Sequence, residues 1–472
     1  MLLAACAQNP VTGGSDFVLM TESQELALGA RYHQEALKEY RLYELKPPGQ
    51  EGLAAYVEAL GQRIARQSHR PNLAWRFTLV DSPEVNAFAL PGGYVYITRG
   101  ILAYLNSEAE LAAVLGHEIG HVTARHGVRQ ASAAQGTDIA LTLLSVFTPG
   151  LRNSGVQGLS STLGGALLAG YGRDHELEAD RLGAEYLARG NWDPDAMIRV
   201  VGALKSQELF DADAARAEGR EPRRYHGVFA SHPDNDTRFR EVVQAARALQ
   251  SGKPDPSAEG RERFLARTEG MVFGDSAQDG FMREGRFWQP ELGITIAAPE
   301  GWRVQNLPDR VVFVAPGESG RIQMKVSPRP KDIAPADLFR QLVRANPAEL
   351  DVAPVNGLPA AQGTWRGQYG AVIYLGERAY TVAGIPRTPQ ELARNMDAFR
   401  AAVRSFRPMD AAERARIKPY ALRLVTADAS TRFATLAQSS PLGRQAEGYL
   451  RLVNGMYPKG EPQPGQRIKV VE

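Results

Sequence analysis

Helical and strand periods alternate along this chain, and their order outlines the fold. Thr21 and Gln24 stand at capping-box separation and open an amphipathic run to about residue 43, where Lys46-Pro47-Pro48-Gly49 ends it. A second helical stripe, Leu53, Tyr56, Val57, Leu60 and Ile64, crosses residues 51–68, and residues 75–80 then alternate as a strand. Residues 86–98 turn at Pro91-Gly92-Gly93 and feed a short β run from Tyr94 to Thr98. Residues 111–126 predict a helix, with Glu108 and Glu110 favouring its start and His126-Gly127 supplying a stop. Residues 128–171 are apolar and small. Their densest part, 139–147, is too short to span a bilayer and is interrupted by Pro149-Gly150, so it reads as a core helix. Helical periods return over 174–189, 194–209 and 235–249.

Beyond residue 250 the pattern changes. Residues 251–280 are rich in Gly, Pro, Ser and charge and read as a linker. Strand signals follow at 293–299, 310–315, 321–326 and 371–382, with helical runs at 335–344 and 389–406; residues 420–472 run strand, helix, helix, strand. The expected architecture is α+β and multidomain: an N-terminal segment (1–20), a mostly helical domain with a small β-sheet (21–250), the linker, an α+β domain (281–410) and a small βααβ module (411–472).

A length of 472 residues agrees with several cores. A formal net charge of +2 and the lack of a polybasic run give no electrostatic case for nucleic acid. Cys6 is the single cysteine, which excludes an internal disulfide and a thiolate metal site. Leu3-Ala4-Ala5-Cys6 resembles the lipobox of bacterial lipoproteins, which implies lipidation of Cys6 and makes residues 1–20 a leader remnant. Ala7 after the cysteine implies retention at the outer membrane, in the periplasm, through a stable lipid anchor.

The candidate chemistry lies in the helix over 111–126. His117 and His121 are four residues apart, which on a helix puts both imidazoles on one face, one turn apart, with Glu118 beside them. HExxH on a helix is the signature of a zinc hydrolase whose histidines bind metal while the glutamate acts as general base. A catalytic zinc needs a third protein ligand. Glu176 is the candidate: it shares a face with Asp180 on the helix over 174–189, whereas Glu178 points elsewhere. Asp180 then accepts the second N–H of a ligand histidine. All eight histidines lie at or before His232, so the later half has no imidazole for a metal. His33, His69, His126, His175 and His226 read as ordinary surface or core groups.

HEIGH, ELEAD and Ser231-His232-Pro233 with Arg238 together resemble the peptidase family of the CAAX prenyl endopeptidases, the mitochondrial Oma-type proteases and the periplasmic BepA-like proteases. Asn9–Glu25 and NAFALPGG are similar to its bacterial lipoprotein members, and the likeness covers about residues 9–249. It implies a gluzincin-type domain holding one zinc ion per chain on His117, His121 and Glu176, with Glu118 as base and Asp180 in support. A substrate peptide is expected to lie extended beside Tyr94 and Val95, with Gly92 and Gly93 permitting close approach and Asn86 bonding its backbone. His232 is expected on a loop over the zinc, either as a fourth ligand that makes the enzyme latent or as a hydrogen-bond donor to the oxyanion. Residues 420–472 resemble a degenerate LysM module, which implies contact with peptidoglycan; the alternative is a plain packing domain. The resulting expectation is a zinc endopeptidase of the bacterial envelope acting on misfolded or stalled envelope proteins. The alternative is a non-proteolytic chaperone or assembly adaptor with a closed zinc site.

Overall fold

The capping box at Thr21 forms as its spacing predicts: the Thr21 hydroxyl accepts from the Gln24 N–H, and the Gln24 side chain accepts from the Thr21 N–H. In the computed structural model it starts helix α1 (Glu22–Glu39). The structure describes residues 6–18, 20–46, 52–133, 172–218, 235–249, 260–307, 309–347 and 349–472. The chain packs as two units, the first made of Met1–Phe273 with Tyr420–Glu472 and the second of Gly274–Pro419.

In the first unit, β1 (Cys6–Gln8) pairs antiparallel with β2 (Ser15–Phe17). Helix α1 ends earlier than its pattern suggests, because the Tyr43 N–H bonds the Leu79 carbonyl and draws residues 41–43 against a strand. Helix α2 (Leu53–Ala65) buries the predicted stripe of Leu53, Tyr56, Val57, Leu60 and Ile64. Strands β3 (Arg76–Val80), β4 (Ala87–Leu90) and β5 (Tyr94–Thr98) form a sheet in the order β3-β5-β4, with β5 parallel to β3 and antiparallel to β4. The short α3 (Arg99–Leu102) leads into α4 (Glu108–Thr123), which the Ser107 hydroxyl caps by accepting from the Glu110 N–H. Every residue of α4 is buried, as expected of a helix surrounded by other elements. The expected stop at His126 falls at Thr123 instead, and α5 (His126–Ala133) begins there. The expected core helix of 139–147 lies outside the described residues. Helices α6 (Arg173–Arg189), α7 (Ala196–Glu218) and α8 (Asn235–Leu249) follow.

The linker expected over 251–280 needs correction in its later part. Residues 261–268 form helix α9 (Arg261–Thr268), in which Phe264 and Leu265 are fully buried, and β6 (Val272–Phe273) follows. Two apolar residues in one turn anchor a segment whose average composition is polar.

The second unit is built on two antiparallel sheets. One contains β7 (Phe281–Arg283), β8 (Arg286–Gln289) and β9 (Ile294–Ala297), in the order β17-β9-β8-β7 with β17 (Arg407–Pro408). The other orders β10 (Arg303–Leu307), β11 (Arg310–Val314), β12 (Gly320–Pro328), β16 (Arg378–Pro386), β15 (Gln368–Leu375), β14 (Ala360–Trp365) and β13 (Glu349–Asp351) across seven strands. The single run expected over 371–382 is thus two strands, because a two-residue turn at Gly376-Glu377 lets the alternation continue through the reversal. Val372 and Tyr374 on one face pack with Phe339 of α10 (Pro335–Val343), while Ala371 and Ile373 on the other pack with Phe399 of α11 (Leu392–Ser405). Helix α12 (Ala411–Arg416) closes the unit.

The chain then returns to the first unit. β18 (Tyr420–Thr426), α13 (Phe433–Ser439), α14 (Ala446–Val453) and β19 (Arg467–Val471) appear in the predicted order. They are not a third body, however: β18 pairs with β6 as well as β19, and Leu422, Val453 and Val471 join the core that holds α2 and α4. Lys469, fully buried, donates to the carbonyls of Ala103 at 2.6 Å and Leu105 at 2.7 Å in the turn before α4, and burial pushes its ammonium down to about 7. Among the described residues no helix is long and apolar enough to cross a membrane.

Candidate metal centre

Helix α4 carries His117, Glu118 and His121 into the core of the first unit, where they are 7%, 2% and 1% exposed. Helix α6 crosses it closely, and glycines make that approach possible. A Cβ added to Gly120 would lie 2.9 Å from the Ala179 carbonyl oxygen, and one on Gly183 would lie 3.0 Å from the His117 nitrogen. At this separation Glu176, wholly buried, reaches both histidines. Its carboxylate oxygens lie 3.6 Å from His117 Nε2 and 3.5 Å from His121 Nε2, and the two Nε2 atoms are 3.0 Å apart. Gly120→Ala should therefore push α6 off α4, lowering stability by about 1–3 kcal/mol and weakening metal binding. Thermal unfolding with and without zinc measures both.

The cluster fits a metal. Two ligand atoms each about 2.1 Å from a tetrahedral ion stand about 3.4 Å apart, close to the separations here. Two imidazoles and one carboxylate are also the donor set of a three-ligand catalytic zinc site. His117, His121 and Glu176 are the group that could hold a metal among the described residues.

Both histidines are braced through their other nitrogen. His117 Nδ1 is 2.7 Å from Asp180 Oδ1, the partner expected from the spacing on α6. His121 Nδ1 is 2.9 Å from Nδ1 of His126, whose Nε2 is 3.0 Å from Glu178 Oε2; Arg129 donates to the same oxygen at 3.0 Å. His126 and Glu178 are the residues that sequence reasoning missed. The signal was present in part: Glu178 faces away from the metal, as its spacing requires, but towards a histidine. Burial holds the His126 imidazole below its ordinary range, while hydrogen bonds from His126 and Arg129 pull the Glu178 carboxyl down to about 2.

A cavity opens beside His117 and Glu118, lined otherwise by Ala87, Ile101, Val114, Met197, Val201 and Leu204 among others. Its apolar wall comes from β4, α3, α4 and α7. Asn86, next to β4, is 8% exposed, and its Oδ1 is buried with no hydrogen-bond partner among the described residues.

The substrate residues expected along β5 are placed differently. β5 is the middle strand, so neither of its edges is open to a peptide; Val95 is in the core, and Tyr94 stacks on His33 with centroids 4.4 Å apart. Gly92 and Gly93 have φ of 82° and 101° and form the hairpin turn. Added Cβ atoms there would face Leu26, Leu73 and Trp75, so these glycines approach the protein itself. β4 is an outer strand, as is β3, because the Pro91-Gly92-Gly93 turn folds residues 87–90 back beside β5; its residues are nonetheless buried. Cys6 starts β1. His232 lies outside the described residues.

The buried His-His-Glu cluster, with a glutamate beside it on an HExxH helix, has the donor set and neighbouring base of a three-ligand zinc hydrolase site. Residues 51–246 match the model of peptidase family M48. Over 273 residues the chain is 30% identical to the β-barrel assembly-enhancing protease of Yersinia pestis, covering 56% of this chain and 52% of that protein. It is 31% identical over 243 residues to a putative β-barrel assembly-enhancing protease of Vibrio cholerae, covering 49% and 47%. It is 32% identical over 213 residues to the mitochondrial metalloendopeptidase OMA1 of Schizosaccharomyces pombe, covering 45% and 58%. The chain thus spans about half the length of the curated relatives it matches.

Proposed function

We propose that this chain is a zinc-dependent endopeptidase of the bacterial cell envelope that hydrolyses peptide bonds in misfolded or stalled envelope proteins. The observation that carries the reading is the convergence of His117, His121 and Glu176 with Glu118 at the adjoining cavity. Zinc held by the three side chains would supply Lewis-acid chemistry, polarising a carbonyl and making water nucleophilic near neutral pH. Glu118 is the general base: it takes a proton from the attacking water and returns it to the leaving amine. Asp180 keeps the His117 ring turned towards the cluster. An extended peptide would lie along the cavity beside β4, where Asn86 offers a side-chain amide. The apolar cavity takes a substrate side chain next to the scissile bond and excludes water there.

The envelope setting draws support from relatives named for β-barrel assembly and from Leu3-Ala4-Ala5-Cys6, which would make Cys6 a lipid attachment point and tether the enzyme to the outer membrane. Purified full chain should cleave an unfolded protein such as casein, lose that activity on chelation and regain it with added zinc. Cleavage that survives complete metal removal would exclude the zinc mechanism.

A further inference from the structure

We propose that His126 is a positioning residue for the metal ligand His121, orienting its ring through a hydrogen-bonded chain that runs from His121 through His126 to Glu178 and Arg129. The proposal rests on the zinc-site reading above but not on peptidase activity.

The direction of the chain follows from hydrogen-bond bookkeeping. His121 turns Nε2 towards His117 Nε2 and Glu176 Oε1, so its proton belongs on Nδ1. That N–H points at Nδ1 of His126, 2.9 Å away, which must accept. The remaining proton of the His126 ring is then on Nε2, where it donates to Glu178 Oε2 at 3.0 Å. Each neutral ring has a single tautomer that satisfies both of its contacts. The outer end is secured by Arg129, which donates to the same Glu178 oxygen.

An intermediate imidazole is needed because of helix geometry. Glu178 is two residues from Glu176, about 200° round the α6 axis, so it cannot reach the cluster directly, whereas Asp180 can and holds His117 without an intermediary. His126 also has to be brought into place. On an uninterrupted helix a residue five positions after His121 would lie about 140° round the axis, away from it. Arg125 breaks α4 with φ of 56°, in the left-handed region, and redirects the chain so that His126 meets His121. The Arg125 side chain is held in turn by Glu25 at 2.7 Å and by the Met20 carbonyl at 3.3 Å. His126 is fully buried and its ring stacks on His175, centroids 4.4 Å apart and planes 20° apart, which fixes its plane. The three carboxylates of Glu176-Leu177-Glu178-Ala179-Asp180 are thereby all engaged, Glu176 in the cluster, Asp180 behind His117 and Glu178 behind His121 by way of His126.

The test is the zinc affinity of the full chain, measured by competition with a chromogenic chelator and zinc alone. His126→Leu, which keeps bulk but neither accepts nor donates, should weaken binding about 10–100-fold. His126→Gln can accept from His121 and donate to Glu178 and should recover most of the loss. Nuclear magnetic resonance of imidazole-labelled protein should show an exchange-protected His121 Nδ1–H in the wild type that is lost in His126→Leu. Zinc binding by His126→Leu within about twofold of wild type, or His126→Gln as weak as His126→Leu, overturns the proposal. If His126→Leu fails to fold by circular dichroism, Glu178→Ala decides at the outer end of the chain: weakened zinc binding supports the proposal and unchanged binding overturns it. A wild type that binds zinc in this His126-dependent way yet cleaves nothing supports the proposal and refutes the peptidase reading. A wild type that binds no zinc refutes both.

Discussion

Glu118→Gln should lower peptide hydrolysis by about 10²–10⁴-fold while leaving zinc occupancy unchanged. Glutamine keeps the volume of Glu118 and its capacity to hydrogen-bond, but its amide cannot store and return a proton at neutral pH. Occupancy should hold because Glu118 is not among the three groups that converge, His117, His121 and Glu176, which are the side chains that could hold a metal. The residue is 2% exposed and borders an apolar cavity, so bulk water has little access to replace it as base. Steady-state cleavage of an unfolded protein, read beside zinc content, measures both quantities. Full activity at normal zinc loading would move the base elsewhere.

The largest stability effect is expected from Glu25→Ala. Glu25 on α1 is 1% exposed and bridges two guanidinium groups, Arg70 at 2.7 Å and Arg125 at 2.7 Å. Arg70 also donates to the Val122 carbonyl at 3.3 Å, so the network clamps α1 to the end of the metal helix. Removing the carboxylate takes from buried Arg125 the carboxylate it pairs with and leaves Arg70 to the exposed Glu22 at 2.7 Å, and breaking a buried pair in this way costs about 3–5 kcal/mol. For a unit of this size that lowers the unfolding midpoint by roughly 10 °C. Glu25→Ala with Arg125→Leu should be less destabilised than the sum of the single changes, because the second substitution removes a stranded charge. The effect should change little with salt, since buried pairs are poorly screened. A loss below about 1 kcal/mol at any salt concentration, the range of an exposed pair, would show that water reaches these charges.

The two predictions draw on different parts of what the chain makes legible. HExxH can be read directly, because the four-residue spacing of His117 and His121 is a property of any helix. The same holds for Glu176 and Asp180, whose shared face on α6 brings one to the cluster and the other to His117. His126 and Glu178 could not be read that way. Their meeting depends on a left-handed residue at Arg125 and on the crossing of α4 and α6 at Gly120 and Gly183, neither of which leaves a periodic trace. The composition of residues 251–280 hid α9, whose two apolar anchors are outnumbered by polar neighbours.

Strand order was beyond sequence reasoning for a related reason. Alternation over residues 94–98 identifies a strand and its two faces but carries no information about which strands lie on either side. The sheet made β5 central, with β3 and β4 on either side of it, so β5 has no edge for a peptide to join. The order of elements in residues 420–472 was readable, but not that β18 would pair with β6 and that Lys469 would lock into the turn before α4. By itself, then, the sequence determined most of the helices and strands of the first unit and the candidate cluster of His117, His121 and Glu176 with Glu118 beside it, because these follow from the spacing of residues close along the chain. Tertiary structure alone decided what stands behind His121, which strand is central in the small sheet and where the end of the chain packs, because those contacts join residues far apart in sequence and are selected by the burial of a common core.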